Sequence, residues 1–385
     1  MKRKVSALVG ICLSALLLVG CGKSNNNSSS SNNDNTTTTK KSDDFQTTGD
    51  ASNDQYQGVI ENGRYKTSKS RGVGVQQDSE NMLNLKNFDT GMTDISKKFF
   101  STKDYLFQEG QYLTTDTVEN WLGRKSKDNP DGLNPESNGN GANRNPMYVQ
   151  QIGEQDYMKN NNGKLSLAGM TIGIGMNRKD YYQKEKYGAT YTQSISRDKM
   201  VEEGKIAAKK VLERVRKLDG VSNDTPIVIA MFQQAPNDSL VGGTFYAYAV
   251  SNSGTDLGDW KELDYKNVTF PVTSGKSVPN SNDEKSFENF KDKVQKFFPN
   301  LAGVTAQAKY DGKSLQSMNI NINTQFYSET EIISFTQYVA QAAQSYLPNR
   351  IPIDIQILGS DGKTQAFLSR DSGDAKFETH VFTNS

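Results

Sequence analysis

The chain has 385 residues, of which 45 are Lys or Arg, 44 are Asp or Glu, one is His and two are Cys. The formal net charge of +1 leaves no basic excess to pair with phosphates, so nucleic acid is not expected as a partner. One His and two Cys argue against His-based triads, Cys–His dyads and Cys/His zinc sites. We therefore expect no catalytic residues, no metal site and no cofactor.

The first twenty residues have the pattern of an export signal. Three basic residues at positions 2–4 precede the uncharged and mostly apolar stretch 5–20. This stretch is shorter than the roughly 20 apolar residues that a membrane-spanning helix needs. It ends in Leu18-Val19-Gly20-Cys21, which resembles the lipobox of bacterial lipoproteins.

The lipobox resemblance implies a lipoprotein signal peptide of residues 1–20, cut between Gly20 and Cys21. The Cys21 thiol would then carry a diacylglycerol, which anchors the protein to the membrane. The expected location is the extracellular face of the cell membrane. An ordinary secretory signal with an incidental Cys is the alternative.

Residues 21–54 are predicted to form a disordered tether that begins at the lipidated Cys21. The segment is rich in Asn, Ser and Thr, and its runs at 25–31 and 36–39 contain no apolar side chain. A flexible chain of about 30 residues has a root-mean-square span of roughly 30 Å. Such a tether would hold the folded part away from the membrane, and a filler of no selected length is the alternative.

The rest of the chain contains two segments with the same order of predicted elements. The first covers residues 55–250 and the second 283–385, and a predicted linker at 251–282 joins them. Each begins with apolar residues three or four positions apart, which is the spacing of one helical face. These residues are Phe88, Met92, Ile95 and Phe99 in the first segment, and Phe287, Phe290, Val294 and Phe297 in the second.

Each segment then continues with a strand, a helix and two strands, as judged from period-two alternation and apolar helical stripes. The predicted ranges are 170–176, 200–218, 228–232 and 244–250 in the first segment, and 318–323, 332–346, 354–357 and 364–369 in the second. Ser328 and Glu331 have the spacing of a capping box. We therefore predict an α+β fold of two duplicated β-α-β-β units with flanking helices. Strands outside the β-α-β crossovers should be largely antiparallel.

Extra material interrupts the first segment between residues 113 and 157. A short helix is predicted at 114–122. The stretch 129–146 is rich in Asn, Gly and Pro, which predicts an irregular loop. This material is interpreted as a loop insertion in the first unit.

Few residues mark a chemical site. Gly173-Ile174-Gly175 lacks the rest of a dinucleotide fingerprint and is interpreted as a close-packing position. The stretch 128–132 resembles half a calcium loop, but residues 127 and 138 are not acidic ligands, so we reject that interpretation. His380 is interpreted as a surface or strand-edge residue.

Two further sets of side chains leave a function open. Carboxylates are abundant enough for a glycosidase-like acid/base pair, although no two are marked as a pair. Several Tyr residues are interpreted as packing in the core with satisfied hydroxyls, and a groove for peptide or glycan is the alternative. They are Tyr181, Tyr182, Tyr187, Tyr191, Tyr246 and Tyr248.

Six short segments in a fixed order carry a family resemblance. They are Gly63-Arg64-Tyr65, Ser70-Arg71-Gly72, Leu106-Phe107-Gln108-Glu109-Gly110-Gln111-Tyr112-Leu113, Gly132-Leu133-Asn134-Pro135, Gly169-Met170-Thr171-Ile172-Gly173 and Thr336-Gln337-Tyr338-Val339. On these segments the chain resembles the CamS family, lipoproteins of Gram-positive bacteria described as sex-pheromone precursors. The resemblance extends from about Tyr56 to the C-terminus. It implies two structurally similar repeats and brings no catalytic residues.

The same resemblance implies that a short hydrophobic peptide before the lipidated Cys is released as a mating signal. The corresponding residues are Ser14, Ala15, Leu16, Leu17, Leu18, Val19 and Gly20. The implied partner of this segment is a pheromone peptide receptor. A signal peptide that is simply degraded is the alternative.

We therefore expect a lipid-anchored extracytoplasmic protein whose folded part is a non-catalytic binding or interaction module. Its partner or ligand at the cell surface is unknown from the sequence. The alternative function is a cell-surface hydrolase that uses carboxylates on envelope glycan or peptide.

Overall fold

The computed structural model describes residues 45–49, 54–73, 81–273, 277–297, 303–326 and 328–382. The predicted signal peptide, Cys21 and the segment from Ser14 to Gly20 lie outside these residues. The helices of the described part are α1 (Met82–Ser96), α2 (Thr115–Leu122), α3 (Arg197–Val215), α4 (Ser281–Gln295) and α5 (Glu329–Tyr346). None of these five is both long enough and apolar enough to cross a membrane.

The strands of the described residues form two large sheets, one small sheet and a separate hairpin. They are β1 (Gln46–Thr47), β2 (Val59–Glu61), β3 (Arg64–Tyr65), β4 (Leu106–Glu109), β5 (Val149–Asn161), β6 (Lys164–Met176), β7 (Lys179–Gln183), β8 (Thr190–Ser194), β9 (Ile227–Gln233), β10 (Thr244–Ser251), β11 (Lys261–Glu262), β12 (Tyr265–Phe270), β13 (Gly303–Asp311), β14 (Ser314–Asn323), β15 (Ile353–Leu358), β16 (Thr364–Arg370) and β17 (Glu378–Val381).

The two large sheets have the same topology. The first sheet has the order β11-β10-β9-β6-β5-β4, and the second has the order β17-β16-β15-β14-β13-β12. One neighbouring pair in each sheet is parallel, β6 with β9 and β14 with β15. The other described pairings in these sheets are antiparallel. The predicted α+β class, the β-α-β-β order in both halves and the antiparallel flanking strands are therefore confirmed.

The correspondence of helices between the halves differs from the prediction. The apolar stripes paired α1 with α4, but α2 lies between β4 and β5 just as α4 lies between β12 and β13. Trp121 of α2 packs in the same core as α3, and Phe290 of α4 packs in the same core as α5. The counterpart of α4 is therefore α2, and α1 is an additional helix. The apolar stripes gave the wrong pairing because α2 has only two turns, which are too few to show a long helical pattern in the sequence.

The additional helix gives the first sheet a second covered face. Phe88 and Met92 of α1 pack against Val228 and Phe232, whereas Ile172 and its neighbours face α3 on the other side. In the second sheet, α4 and α5 share one core. Its opposite face is exposed and polar, with the side chains of Thr305, Gln307, Asn319, Asn321, Asn323, Asp354 and Gln356.

Strands occur in the segment predicted as a disordered tether and in the segment predicted as a linker. Within the predicted tether 21–54, Phe45 is buried and β1 pairs with β2, so the prediction is wrong for residues 45–49. Within the predicted linker 251–282, β11 joins the first sheet and β12 joins the second, and α4 already begins at Ser281. β1 and β11 have two residues each, which is too short for an alternating pattern, and the six residues of β12 do not alternate between apolar and polar side chains.

Smaller predictions agree with the structure. The short helix at 114–122 is α2, and residues 129–146 form no helix or strand. Ser328 and Glu331 make both hydrogen bonds of a capping box at the start of α5. Each of these follows from local side-chain chemistry, which needs no knowledge of the distant parts of the chain.

Candidate functional site

A pair of carboxyl groups on β5 is the closest match to the chemistry that a hydrolase would need. Glu154 and Asp156 are two residues apart on one strand, so their side chains lie on the same face of the sheet. Glu154 is 6% exposed and Asp156 is fully buried. Sequence reasoning missed this pair because the separation of carboxyl groups in space is invisible without the fold.

Backbone amides of the loop after β4 donate hydrogen bonds to these carboxyl groups. Gln111 N donates to Asp156 Oδ2 at 2.9 Å, and Tyr112 N donates to Glu154 Oε1 at 3.0 Å. Leu113 N donates to Glu154 Oε2 at 2.7 Å. Gly110 sits so close that a Cβ there would lie 2.6 Å from the Glu154 Cβ. The pair therefore holds this loop against the sheet.

Burial changes the ionisation of both groups. It raises the pKa of Glu154, although the amides of Leu113 and Tyr112 oppose the rise. Burial and the neighbouring Glu154 raise the pKa of Asp156 well above its ordinary value. Neither residue lines the cavities described next.

A polar cavity of about 380 Å³ lies where β6 and β9 end. Because these strands are parallel neighbours, their carboxyl ends meet at one edge of the sheet, a common place for ligands in sheets of this kind. Asn177 and Arg178 directly follow β6, and Gln234 directly follows β9. All three line the cavity, which we call the strand-end cavity.

Carboxamide groups form much of the floor of the strand-end cavity. Gln234 Nε2 donates to Gln151 Oε1 at 3.0 Å, and Asn177 Nδ2 donates to Gln150 Oε1 at 3.0 Å. Gln234 is only 7% exposed, and its Oε1 has no hydrogen-bond partner among the described residues. A buried polar atom left without a partner costs about 1–3 kcal/mol. This oxygen is enclosed by the protein and is not accessible from the cavity.

A buried ion pair supports the wall of the strand-end cavity. Arg144 contacts Asp180, and their side chains are only 6% and 4% exposed. Met147 N donates a further hydrogen bond to Asp180 at 2.9 Å. Burial raises the pKa of Asp180, while the Met147 amide and Arg144 oppose this rise. The negative charge of Asp180 is therefore already neutralised by Arg144 within the protein.

By contrast, two cationic side chains beside this ion pair are not paired with a carboxylate of the described residues. Arg178 donates to Ile195 O at 2.9 Å and to Gln233 Oε1 at 3.3 Å, which are both uncharged acceptors. Neither Arg178 nor Lys179 forms an ion pair with any carboxylate in the described ranges. A second cavity of about 490 Å³ shares both residues and extends to Lys266 of β12. Lys266 is paired with Asp264, and the carboxylates of Glu119 and Asp180 also line the strand-end cavity, so charges of both signs lie at this edge of the sheet.

Two further cavities lie elsewhere. One of about 510 Å³ beside α3 is lined by Arg197, Lys205 and Trp260. Another of about 270 Å³ lies between the two large sheets, where Phe245 and Tyr310 line it. We regard the strand-end cavity as the candidate site because it lies at the carboxyl ends of the parallel strands β6 and β9 and is lined by charged and carboxamide side chains.

The six Tyr residues considered in the sequence analysis do not line one common groove, which was the alternative to their packing in the core. Tyr182 and Tyr191 pair across the β7–β8 hairpin with ring centroids 5.6 Å apart, and Tyr187 is 86% exposed. A β-bulge near Phe245 sends Tyr246 to the α3 face of the sheet and Tyr248 to the α1 face. Tyr181 does line the strand-end cavity, where its hydroxyl accepts from Asn237 N at 3.0 Å.

The other residues considered in the sequence analysis lie at a strand edge or in a loop. His380 is exposed on the edge strand β17 against Phe382, as predicted. In the stretch 128–132, the Asn129 side chain donates to Asn120 O at 2.8 Å, and Asp131 lies 3.6 Å from Arg214. The described residues contain no group of three or more His, Cys, Asp or Glu side chains arranged to hold a metal ion.

Sequence analysis did not single out Arg178, Lys179 or Gln234. A signal was present, because these residues directly follow the strands predicted at 170–176 and 228–232. In a β-α-β unit both strands end at the same edge, so polar residues just after them come together. This rule would have identified the strand-end cavity from the sequence.

The described fold is that of an α+β protein with two topologically equivalent sheets and a polar cavity at the edge of the first. The family model described as CamS sex pheromone cAM373 precursor matches residues 65–376. The chain belongs to the CamS family. The predicted resemblance is therefore confirmed.

Solved structures similar to this chain include two sex pheromone precursors. A sex pheromone precursor from Lactobacillus salivarius subsp. salivarius UCC118 is 64% identical and has a TM-score of 0.86, and the match covers 89% of this chain and 100% of that chain. The C-terminal domain of the sex pheromone staph-cAM373 precursor from Staphylococcus aureus is 30% identical with a TM-score of 0.70, and the match covers 80% of this chain and 99% of that chain. No curated protein matches the chain.

Proposed function

We propose that this chain is a lipid-anchored pheromone precursor whose folded part is a non-catalytic binding module at the extracellular face of the membrane. The observation that carries the proposal is the 64% identity to a protein described as a sex pheromone precursor. In this proposal the signal peptide 1–20 is cut before Cys21. The thiol of Cys21 then holds a diacylglycerol.

The released signal peptide supplies the pheromone part of this function. Its last seven residues, from Ser14 to Gly20, are uncharged and mostly apolar, and cleavage before Cys21 would leave Gly20 with a free carboxylate. A pheromone peptide receptor on another cell is the proposed partner of this fragment.

The geometry supports binding rather than hydrolysis as the role of the folded part. A carboxylate-dependent hydrolase needs two carboxyl groups that reach a substrate in a cleft. Glu154 and Asp156 instead accept hydrogen bonds from three successive backbone amides and are almost completely buried. The strand-end cavity is lined by carboxamides, by the cations Arg178 and Lys179 and by the carboxylates Glu119 and Asp180, of which Asp180 is held in an ion pair with Arg144.

The lipid anchor is tested by metabolic labelling with an alkyne fatty acid in bacteria that express the full-length protein. The parent protein should carry the label and fractionate with membranes. A Cys21→Ala variant should lose the label, because no other thiol follows the cleavage site.

The chain offers a matched control in its only other cysteine. A Cys12→Ala variant changes the signal peptide but keeps Cys21, and should be labelled like the parent protein. A label that persists in Cys21→Ala, or that is absent from the parent protein, contradicts the lipid anchor.

A further inference from the structure

We propose that the exposed polar face of the second sheet binds an uncharged glycan chain. We call this surface the open face, and its centre is formed by the exposed alternate residues of β13, β14 and β15 that were named with the fold. The inference rests on the proposed binding role of the folded part and adds a surface and the class of its ligand. Three features carry it: amides that their strand does not favour, the contrast with the first sheet, and aromatic rings beside the amides.

Three asparagines on β14 contradict the local preference of a strand. Asn319, Asn321 and Asn323 alternate with buried apolar residues, and all three are exposed. Asn is depleted in strands, where β-branched residues such as Thr fit the pleated backbone better. None of the three side chains makes a hydrogen bond to another described residue, so no such contact compensates for this choice. Residues that break a local rule without compensation are expected at functional sites.

The first sheet shows how the same face is built when a helix covers it. The two parallel ladders, β6 with β9 and β14 with β15, begin at equivalent residues. Asn321 therefore stands where the first sheet has Gly173, and Gln356 stands where it has Ala230. Gly173 and Ala230 lie beneath α1, against Met92. The open face lacks the apolar surface that a helix or a second copy of this chain would need, and it suits a polar partner.

The hydrogen-bonding groups of the open face match those of a sugar. The described residues at its centre are uncharged except for Asp354. Carboxamides both donate and accept hydrogen bonds, and a carboxylate accepts them. A sugar hydroxyl also donates and accepts, so a chain of uncharged sugars fits this set of groups. A polyanion would instead require an excess of cations, which the centre of the open face does not have.

Aromatic rings continue the amides across the sheet. Asn321 is paired with Gln356, and Gln356 with Phe367. Phe367 is paired in turn with His380, so these side chains lie next to each other on one face. Phe382 is 42% exposed and lies against His380 with ring centroids 4.8 Å apart. An aromatic ring presents an apolar surface for the C–H face of a sugar ring, beside the amides that bind its hydroxyls.

This row of side chains is long enough for several sugars. It extends from Thr305, the partner of Asn321 on β13, to His380 on β17. The four spacings between these five strands give about 19 Å. A single sugar would contact only part of the row, whereas a chain would contact all of it. The affinity should therefore rise with the length of the glycan.

The test is isothermal titration calorimetry on the full-length protein in a detergent without sugar groups. The probes are the hexamer and the dimer of N-acetylglucosamine, which are uncharged, and the hexamer of galacturonic acid, which carries a carboxylate on each sugar. The neutral hexamer should bind about tenfold more tightly than the dimer, because it makes additional hydrogen bonds. The acidic hexamer should not bind.

Variants connect the binding to the open face. The combined substitutions Asn319→Thr, Asn321→Thr and Asn323→Thr remove the amides but keep polar side chains that strands favour. They should weaken binding of the neutral hexamer about tenfold without lowering the temperature of unfolding. Asn161→Thr is the matched control, because Asn161 is exposed on β5 of the other sheet, and it should bind like the parent protein.

A second variant tests the aromatic part of the row. Phe367→Leu keeps an apolar side chain but removes the ring, so it should also weaken binding of the neutral hexamer. It provides the readout if the triple variant does not fold, which thermal unfolding shows.

The inference is overturned if the neutral hexamer does not bind at millimolar concentration, if the acidic hexamer binds as tightly, or if the folded variants bind like the parent protein. It is also overturned if the parent protein is a dimer and the triple variant a monomer, because the open face would then be an interface between copies. Mass spectrometry of the neutral hexamer after titration separates these results from failure of the proposed function. An intact but unbound hexamer contradicts only the glycan as ligand, whereas a cleaved hexamer contradicts the non-catalytic role itself.

Discussion

Gly173 of β6 faces Met92 of α1 so closely that a Cβ atom at position 173 would lie 2.6 Å from the Met92 sulfur. Gly153 on β5 is equally close to Phe88 of the same helix. Glycines on two neighbouring strands therefore form the flat surface on which α1 rests. The interpretation of Gly173-Ile174-Gly175 as close-packing positions is confirmed.

Replacement of Gly173 by Ala should destabilise the protein by about 1–3 kcal/mol, the usual cost of overpacking a core. Gly141 is the control, since a Cβ there meets no atom within 4 Å. Urea denaturation of both variants measures the free energy of unfolding. Equal stability of Gly173→Ala and Gly141→Ala would contradict the close approach of α1.

The sequence predicted the elements with strong local patterns and missed those without them. Strands β6, β9, β14 and β15 alternate or are strongly apolar, and all were predicted. Strand β5 was missed because Gln151, Glu154 and Asp156 are polar residues at buried positions. Strand β13 does alternate, but Ala306 and Ala308 give its apolar face little contrast.

The role of α1 could not be predicted for a different reason. Its apolar stripe shows that one face is buried, but the stripe does not say which face of which sheet lies beneath it. The glycines that accept α1 come from strands more than 60 residues later in the chain. The strand-end cavity depends on the same long-range arrangement, although the order of strands would have located it.

The buried pair of Arg144 and Asp180 should be important for stability. Substitution of Arg144 by Met leaves Asp180 buried without its cation, which typically costs about 3–5 kcal/mol. The matched control is Lys199→Met, because Lys199 pairs with Glu202 and Glu203 on the exposed side of α3. Exposed pairs contribute about 0–1 kcal/mol. Similar losses in the two variants, measured by urea denaturation, would contradict the burial of the Arg144 pair.

The raised pKa of Asp156 makes the stability depend on pH. A carboxyl group with a raised pKa in the folded state contributes its full stability below the ordinary pKa of 3.8, and this contribution is lost as the pH rises through the raised value. In an Asp156→Asn variant, Asn Oδ1 can still accept from Gln111 N. The variant should therefore gain stability relative to the parent protein as the pH rises.

Measurement of the free energy of unfolding at several pH values tests this prediction. Asp104→Asn is the control, because Asp104 is exposed, and its pH profile should parallel that of the parent protein. If the free energy of unfolding of Asp156→Asn changes with pH in the same way as that of the parent protein, the buried pair on β5 does not titrate as described.

The most direct test of the proposed function is mass spectrometry of the culture medium for the heptapeptide from Ser14 to Gly20. We expect the peptide in the medium of the parent strain and its loss in a Cys21→Ala strain, where the cleavage site is changed. Peptide that is absent from both, while the protein accumulates at the membrane, would contradict the precursor role.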